Sequence, residues 1–315
     1  MISPRKDNSV PASYFLVGPT AVGKSSVAQF LAHEHDYNVL SADSMLIYRG
    51  MDIGTATPSP EERGSVPYYG INIVDPSEGF SVWDYIEYVK SMNLDYSNCI
   101  VAGGTGLYVQ ALLEGLESVP GADLDLRKEL EDQLENEGIQ VLQEKLRSRA
   151  PELYESLKDK DNPRRIIRAI EISEGGVVER NENWGSNLTK IPGLSMDRDV
   201  LHERIKRRID RMFEDGLMDE VEALMNAEVS LGETALQAIG YKEAISMLKG
   251  ECGFDEAKEL IAARTRKLAK RQMTWFRNRM NVDWIEVGPG MEEADVAGLV
   301  LDYWSTNGPA EIRLV

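Results

Sequence analysis

Cysteine is nearly missing from this chain of 315 residues: Cys99 and Cys252 are the two, far apart and without metal-ligand spacing. That excludes a cysteine-based metal site and leaves two reduced structural thiols in a cytoplasmic protein as the expectation. Histidine is as scarce. His33, His35 and His202 have no metal-ligand spacing, so no catalysis is assigned to them. No apolar run approaches the ~18 residues of a membrane span. The opening "MISPRKDNSVPAS" lacks the apolar core of a signal peptide, and residues 1–12 read as a disordered lead-in. Basic charge is in short supply too, with 35 Lys and Arg against 53 Asp and Glu, a formal net charge of −18. Taken alone, this balance argues against a nucleic-acid partner.

Net charge speaks to solubility, however, while binding depends on where the basic residues lie. Residues 258–279, "KELIAARTRKLAKRQMTWFRNR", hold eight Lys or Arg against one Glu, and residues 164–168 read "RRIIR". The chain is acidic overall with local basic stripes. On helical spacing Arg266, Lys270 and Arg277 share one stripe, with Ile261, Leu268 and Trp275 roughly opposite. Trp275 and Phe276 read as core.

"SYFLVGPTAVGKSSVAQFLAHEH" reads as strand, glycine-rich turn, helix; "YNVLSADS" reads as a second strand ending at Asp43. "NCIVAGGTGLYVQALLEGL" repeats the strand–turn–helix pattern. Alternation of this kind points to a parallel sheet with helices on both faces and ligands beyond the carboxyl ends of the strands. Gly18, Asp43 and Gly103 would meet at that edge, with Tyr108 packed near it. After "VPGAD" the pattern over 124–174 turns helical without strand candidates, and 174–193 reads as a polar connector. Helical pattern resumes over 201–279, with Gly216, Gly232 and Gly250 as stops. The expectation is a P-loop NTPase-like α/β core (13–120 and 193–285) with an inserted all-helical domain (121–192) and a C-terminal tail segment (286–315).

The loop "GPTAVGKS", residues 18–25, sits between a strand and a helix, the context a phosphate-cradling loop requires. Its backbone N–H groups and the helix N-terminus favour an anion, Lys24 adds a charge, and Ser25 is placed to ligate Mg²⁺. Enzymes that hydrolyse or transfer a nucleotide's phosphate normally carry a second carboxylate closing an apolar strand. Here "CIVA" runs into "GGTG" and supplies none. Asp43, at the end of the second strand, stands where a base or metal ligand is useful. That it only caps the next turn stays open at this point.

Seven stretches in order carry a family resemblance: "GPTAVGKS", "SADSMLIYRGMDIGTATP", "AGGTGLYVQALLEGL", "DNPRRIIRAIEI", "LHERIKRRIDRMFEDGLMDEV", "AIGYKEA" and "TRKLAKRQMTWFRN". From about residue 13 to 285 the chain resembles the tRNA dimethylallyltransferase family. The resemblance implies transfer of a five-carbon prenyl group from dimethylallyl diphosphate to N6 of adenosine 37, beside the anticodon of tRNAs reading UNN codons. The loop Gly18, Pro19, Thr20, Ala21, Val22, Gly23, Lys24 and Ser25 would then hold the donor's diphosphate, with Arg204 and Arg208 reaching it or forming structural ion pairs. Lys24, Thr105 and Asp43 take the catalytic roles: charge neutralisation, a hydrogen bond to the leaving oxygen, and acceptance of the N6 proton.

By the same resemblance, tRNA contacts fall on Asp43, Ser44, Met45, Leu46 and Thr105. On the inserted domain they fall on Arg127, Arg164, Arg165, Ile166, Ile167 and Arg168. On the core they fall on Gln237, Ala238, Ile239, Gly240, Tyr241 and Lys242, and on Lys270, Arg271, Gln272 and Arg277. The partners implied are tRNA and dimethylallyl diphosphate, with Mg²⁺ as cofactor, no membrane and a monomeric state. Two departures stand out. "VPYYGINIVDP" places Tyr68, Tyr69 and Asn72 where the family commonly has Pro-His and an aspartate, and "SEGGVV" replaces the usual Thr-Gly turn. The rivals are prenylation of free AMP or ATP, a P-loop small-molecule kinase, and a non-catalytic RNA-binding module. The basic helix and inserted domain disfavour the first and the missing carboxylate the second. The third has no use for Lys24, Ser25 and Asp43 together.

Overall fold

The computed structural model describes residues 11–314 apart from 93, 117–123, 176–180, 182 and 228–229. The chain forms two compact units, one of Met1–Gly115 with Gly185–Val315 and one of Leu116–Trp184.

The first unit opens with β1 (Ala12–Val17), α1 (Lys24–His35), β2 (Asn38–Ser41), α2 (Pro60–Arg63), β3 (Tyr68–Tyr69), α3 (Val82–Ser91), β4 (Cys99–Gly103) and α4 (Gly106–Glu114). The second unit holds α5 (Leu124–Glu137), α6 (Ile139–Arg149), α7 (Pro151–Ser156) and α8 (Pro163–Glu174). The first unit then resumes with β5 (Lys190–Met196), α9 (Arg198–Glu214), α10 (Leu217–Met225), α11 (Glu233–Leu236), α12 (Tyr241–Leu248) and α13 (Phe254–Arg279). It closes with β6 (Asn281–Val287), α14 (Glu293–Asn307) and β7 (Ala310–Glu311).

Six strands run parallel in the order β3-β2-β4-β1-β5-β6, and β7 pairs antiparallel with the start of β1. Leu16, Val39, Ile100 and Ala102 pack with Val27, Leu31, Val300 and Trp304 of α1 and α14. The alternate residues Phe15, Val17, Leu40 and Val101 are buried as well. Both faces of the sheet are therefore covered, which is why these strands read as continuous apolar runs. Local signals set the helix starts. Asp197 accepts the N–H groups of Asp199 and Val200 to open α9, and Asn162 caps α8 ahead of Pro163.

Three expectations on layout are corrected. The polar connector ends earlier than residue 193, because Lys190–Met196 is β5, paired with β6 from Lys190↔Asn281 to Met196↔Val287. Pro192 and Gly193 hide this strand from a propensity reading. The tail 286–315 is part of the core: α14 buries Val296, Val300 and Trp304, and the Trp304 indole donates to the Phe15 carbonyl at 3.2 Å. Of the lead-in, residues 1–10 lie outside the described residues, and Ala12 already opens β1.

Unit 2 has its own core of Leu130, Leu142, Leu146, Tyr154, Ile166, Ile167, Ala169 and Ile170. Ile166 and Ile167 are its inward face, so their side chains are withdrawn from any RNA-contacting surface. On the same helix Glu171, also buried, accepts from Arg127 Nε at 2.7 Å and Nη2 at 2.9 Å, and from Arg168 Nη1 at 2.9 Å. Arg164 and Arg165 are exposed, and Arg165 lies 3.7 Å from Asp159.

Candidate active site

The loop after β1 ends in Gly23, held at φ 105° as the N-cap of α1. No side chain caps this helix and no acidic residue occupies its first turn. Its first amides and the positive end of its dipole therefore face an anion site without an internal competitor. Lys24 is 9% exposed and donates from Nζ to the Pro19 carbonyl at 2.7 Å. Burial pushes its ammonium down to about 8, the Arg208 charge adds to that, and the Asp43 carboxylate opposes it.

Two arginines of α9, one turn apart, reach the same loop. Arg208 donates to Thr20 Oγ1 at 3.2 Å and to the Thr55 carbonyl at 2.9 Å. Burial lowers its proton affinity while Asp43 supports the charge. The Arg204 guanidinium lies beside Gly23, where a Cβ would sit 3.3 Å from Nη2. Among the described residues neither arginine has a carboxylate at ion-pair distance, which removes the reading of Arg204 and Arg208 as structural salt bridges. They are cations aimed at the loop.

Asp43 lies two residues past the end of β2. Its Oδ1 accepts the Met45 N–H at 2.9 Å, so it does cap the turn, with one of its two oxygens. Its charge acts on Lys24 and Arg208, so turn-capping and a place in the charged crevice coexist. The end of β4 is pressed against this segment: a Cβ on Gly103 would lie 2.1 Å from the Ala42 carbonyl oxygen, so only glycine fits. Thr105 follows, donating its N–H to the Ala42 carbonyl at 3.1 Å, while its hydroxyl accepts the Ser44 N–H at 3.0 Å. Tyr85 stacks on Tyr108 at 4.2 Å and donates to the Ser41 carbonyl at 2.9 Å, which steadies the end of β2 from beneath. Gly18 and Asp43, just past β1 and β2, and Gly103, the last residue of β4, thus lie at the carboxyl edge of the sheet.

Other sequence-derived site residues separate by burial. Ser25 is exposed in the first turn of α1, and Met45 and Leu46 are half-buried. Lys270, Arg271 and Arg277 are exposed along α13, with Ile261 and Phe276 buried on its inner side. Trp275 is half-buried and packs on Gly106. Gln272 is 9% exposed and its Oε1 accepts the Thr20 N–H at 2.7 Å, so it braces the glycine loop from α13. Between α11 and α12, Gln237 is exposed, Ile239 is half-buried and Gly240 lies buried at φ 95°, while Lys242 is exposed in the first turn of α12. Ala238 and Tyr241 are buried too, which withdraws both side chains from an RNA surface. At the departures from the family pattern, Asn72 donates to Asp52 Oδ1 at 2.9 Å, and the buried Tyr68 hydroxyl has no hydrogen-bond partner among the described residues. Tyr85 lies in none of the matching stretches, and Thr55 and Glu220 lie within the stretches 41–58 and 201–221 but were given no role from the sequence.

A glycine loop and an uncapped helix N-terminus, three cations around them and a carboxylate just past β2 fit an α/β enzyme of the transferase kind. The chain belongs to the IPP transferase family, the tRNA dimethylallyltransferases. The family model described as IPP transferase matches residues 46–279, and that described as isopentenyl transferase matches residues 11–67. The tRNA dimethylallyltransferase of Geobacter sulfurreducens is 41% identical over 281 residues, covering 85% of this chain and 90% of that protein. That of Bacillus licheniformis is 39% identical over 290 residues, 89% and 92% of the two chains. Among solved structures, the full-length tRNA isopentenylpyrophosphate transferase of Bacillus halodurans superposes with a TM-score of 0.65 at 37% identity, covering 94% of this chain and 98% of that one. A eukaryotic dimethylallyltransferase, solved acting on tRNA, shares the fold at a TM-score of 0.66 and 22% identity, over 94% and 76% of the two chains.

Proposed function

We propose that this protein transfers the dimethylallyl group of dimethylallyl diphosphate to N6 of adenosine 37 in tRNAs reading UNN codons. The observation that carries the reading is Asp43 placed within the electrostatic reach of Lys24 and Arg208 with no second acid closing β4. Such a site can hold a diphosphate and accept a proton, yet lacks the acid that phosphoryl transfer normally uses.

In the reaction, the bond between the allylic carbon and the diphosphate oxygen breaks and its electron pair leaves with diphosphate. Lys24, Arg208 and the α1 amides neutralise that charge, and Thr105 donates to the leaving oxygen. The N6 lone pair forms the new carbon–nitrogen bond, and Asp43 takes the N6 proton. Base 37 must leave the anticodon stack to reach this edge. Ser25 is the residue that would hold Mg²⁺ together with the donor's own phosphate oxygens. One exposed hydroxyl suits an ion bound largely by substrate phosphates, and the described residues contain no cluster of three metal-ligating side chains. The ion supplies further neutralisation of the departing diphosphate. Exposed Lys270, Arg271 and Arg277, with Arg164 and Arg165 on unit 2, are the cationic groups for tRNA phosphates. The protein works as a cytoplasmic monomer in this reading; among the described residues no helix is long and apolar enough to cross a membrane.

The test is incubation with labelled dimethylallyl diphosphate and either tRNA, AMP or no acceptor, with and without EDTA. Label in tRNA alone, lost with EDTA, is the expected result. Transfer to AMP but not tRNA overturns the acceptor, and full transfer in EDTA overturns the role of Mg²⁺.

A further inference from the structure

Outside the groups already given roles, one carboxylate is held in an unusual way. Glu220, on α10, accepts four hydrogen bonds from uncharged donors. The Asp52 and Ile53 N–H groups reach Oε2 at 2.9 and 2.8 Å, while the Gly54 N–H and the Tyr241 hydroxyl reach Oε1 at 3.2 and 2.6 Å. Three successive amides turned onto one carboxylate form an anion nest. Among the described residues no Lys or Arg lies at ion-pair distance from Glu220, so the amides carry its charge.

The third segment of this lock is equally constrained. Tyr241 packs so closely on Gly54 that a Cβ there would lie 2.4 Å from its ring. Burial and the neighbouring carboxylate push the Tyr241 phenol well above its ordinary range, which keeps it a donor. Immediately after the three amides comes Thr55, whose carbonyl accepts from Arg208 at 2.9 Å. Arg208 holds the donor loop through Thr20 at 3.2 Å. A path of direct contacts therefore runs from Glu220 through residues 52–55 to the half-buried guanidinium of Arg208, whose charge is coupled to those of Lys24 and Asp43.

We propose that Glu220 is a positioning residue for prenyl transfer, fixing loop 52–55 so that the Thr55 carbonyl aims Arg208 at the donor's diphosphate. It touches neither substrate. The inference rests on the donor-site reading above. It also explains why Tyr241, inside a stretch shared with RNA-modifying relatives, is buried: its hydroxyl closes the lock.

Glu220→Gln keeps the size but offers fewer acceptor sites than four donors need, so at least one amide loses its partner. Steady-state transfer to tRNA is measured for the wild type, Arg208→Ala, Glu220→Gln and the double variant, with tRNA affinity measured alongside. Glu220→Gln is expected to lower kcat/KM for the donor roughly ten- to a hundredfold, with tRNA affinity within about twofold. In the Arg208→Ala background it is expected to cost almost nothing more, because the loss runs through Arg208. Wild-type kinetics in Glu220→Gln, wild-type kinetics in Arg208→Ala, or losses that multiply in the double variant each overturn the proposal. If Glu220→Gln does not fold, Tyr241→Phe, which keeps the ring on Gly54, enters the same cycle with a loss of roughly fivefold expected. A wild type that labels no tRNA overturns the functional reading itself, and this inference with it.

Discussion

Lys24 is where the proposed function and stability of this protein pull apart most measurably. The residue is 9% exposed, and burial, which strips water from its ammonium, pushes the pKa down from 10.5 to about 8. The folded state thus releases this proton at lower pH than the unfolded chain does. Between pH 8 and 10.5 the unfolded chain binds more protons, so the Lys24 contribution to stability rises with pH across that window. Below it the penalty is fully present. At roughly 1.4 kcal/mol per tenfold in proton affinity, the penalty is about 3 kcal/mol. Lys24→Met keeps the apolar stem and removes the charge, at the loss of the bond to Pro19, worth about 1 kcal/mol. Without ligand at pH 7, Lys24→Met is expected to be more stable than the wild type by about 2 kcal/mol. That advantage should shrink as pH rises to 10. Added inorganic diphosphate should stabilise the wild type and leave the variant nearly unmoved, while prenyl transfer falls a few hundredfold. Denaturant unfolding at pH 7 and 10, with and without diphosphate, reads all of this. A variant less stable than the wild type at pH 7, with the same difference at pH 10, refutes the reasoning.

Asp43→Asn preserves the Asx turn to Met45 but cannot take a proton, so single-turnover transfer is expected to drop roughly 10²–10⁴-fold with both substrates still binding; a wild-type rate would leave Asp43 as a turn cap only. Reversing exposed Lys270 and Arg271 to Glu should weaken tRNA binding and flatten its salt dependence, measured by filter binding from low to physiological salt. An unchanged slope would mean that these charges do not meet phosphates. Glu171→Gln removes the buried charge that Arg127 and Arg168 share. It should cost about 2 kcal/mol, below the range for fully buried pairs because the arginine side chains are 38% and 32% exposed. A wild-type melting temperature would show that the pair adds no stability.

Much of the candidate site was legible before any coordinates, because its parts are encoded by consecutive residues. "GPTAVGKS" between an apolar strand and a helix states its own backbone shape, and Asp43 and "GGTG" fall at strand ends by counting along the chain. Helical periodicity likewise marked the insertion, since a 3.6-residue rhythm of Leu and Ile needs no partner to be seen. What only the tertiary structure decided are pairings between distant residues. Gln272, placed among the tRNA contacts by family resemblance, meets Thr20, 252 positions earlier. Glu220 and Tyr241 look like ordinary members of amphipathic helices until the chain brings Gly54 between them. Residues 190–196 became a strand despite Pro192 and Gly193, because β6 supplies their hydrogen bonds along the full length of the strand. Local conformation follows from neighbours in sequence; a side chain's partner depends on which surfaces the completed fold brings into contact.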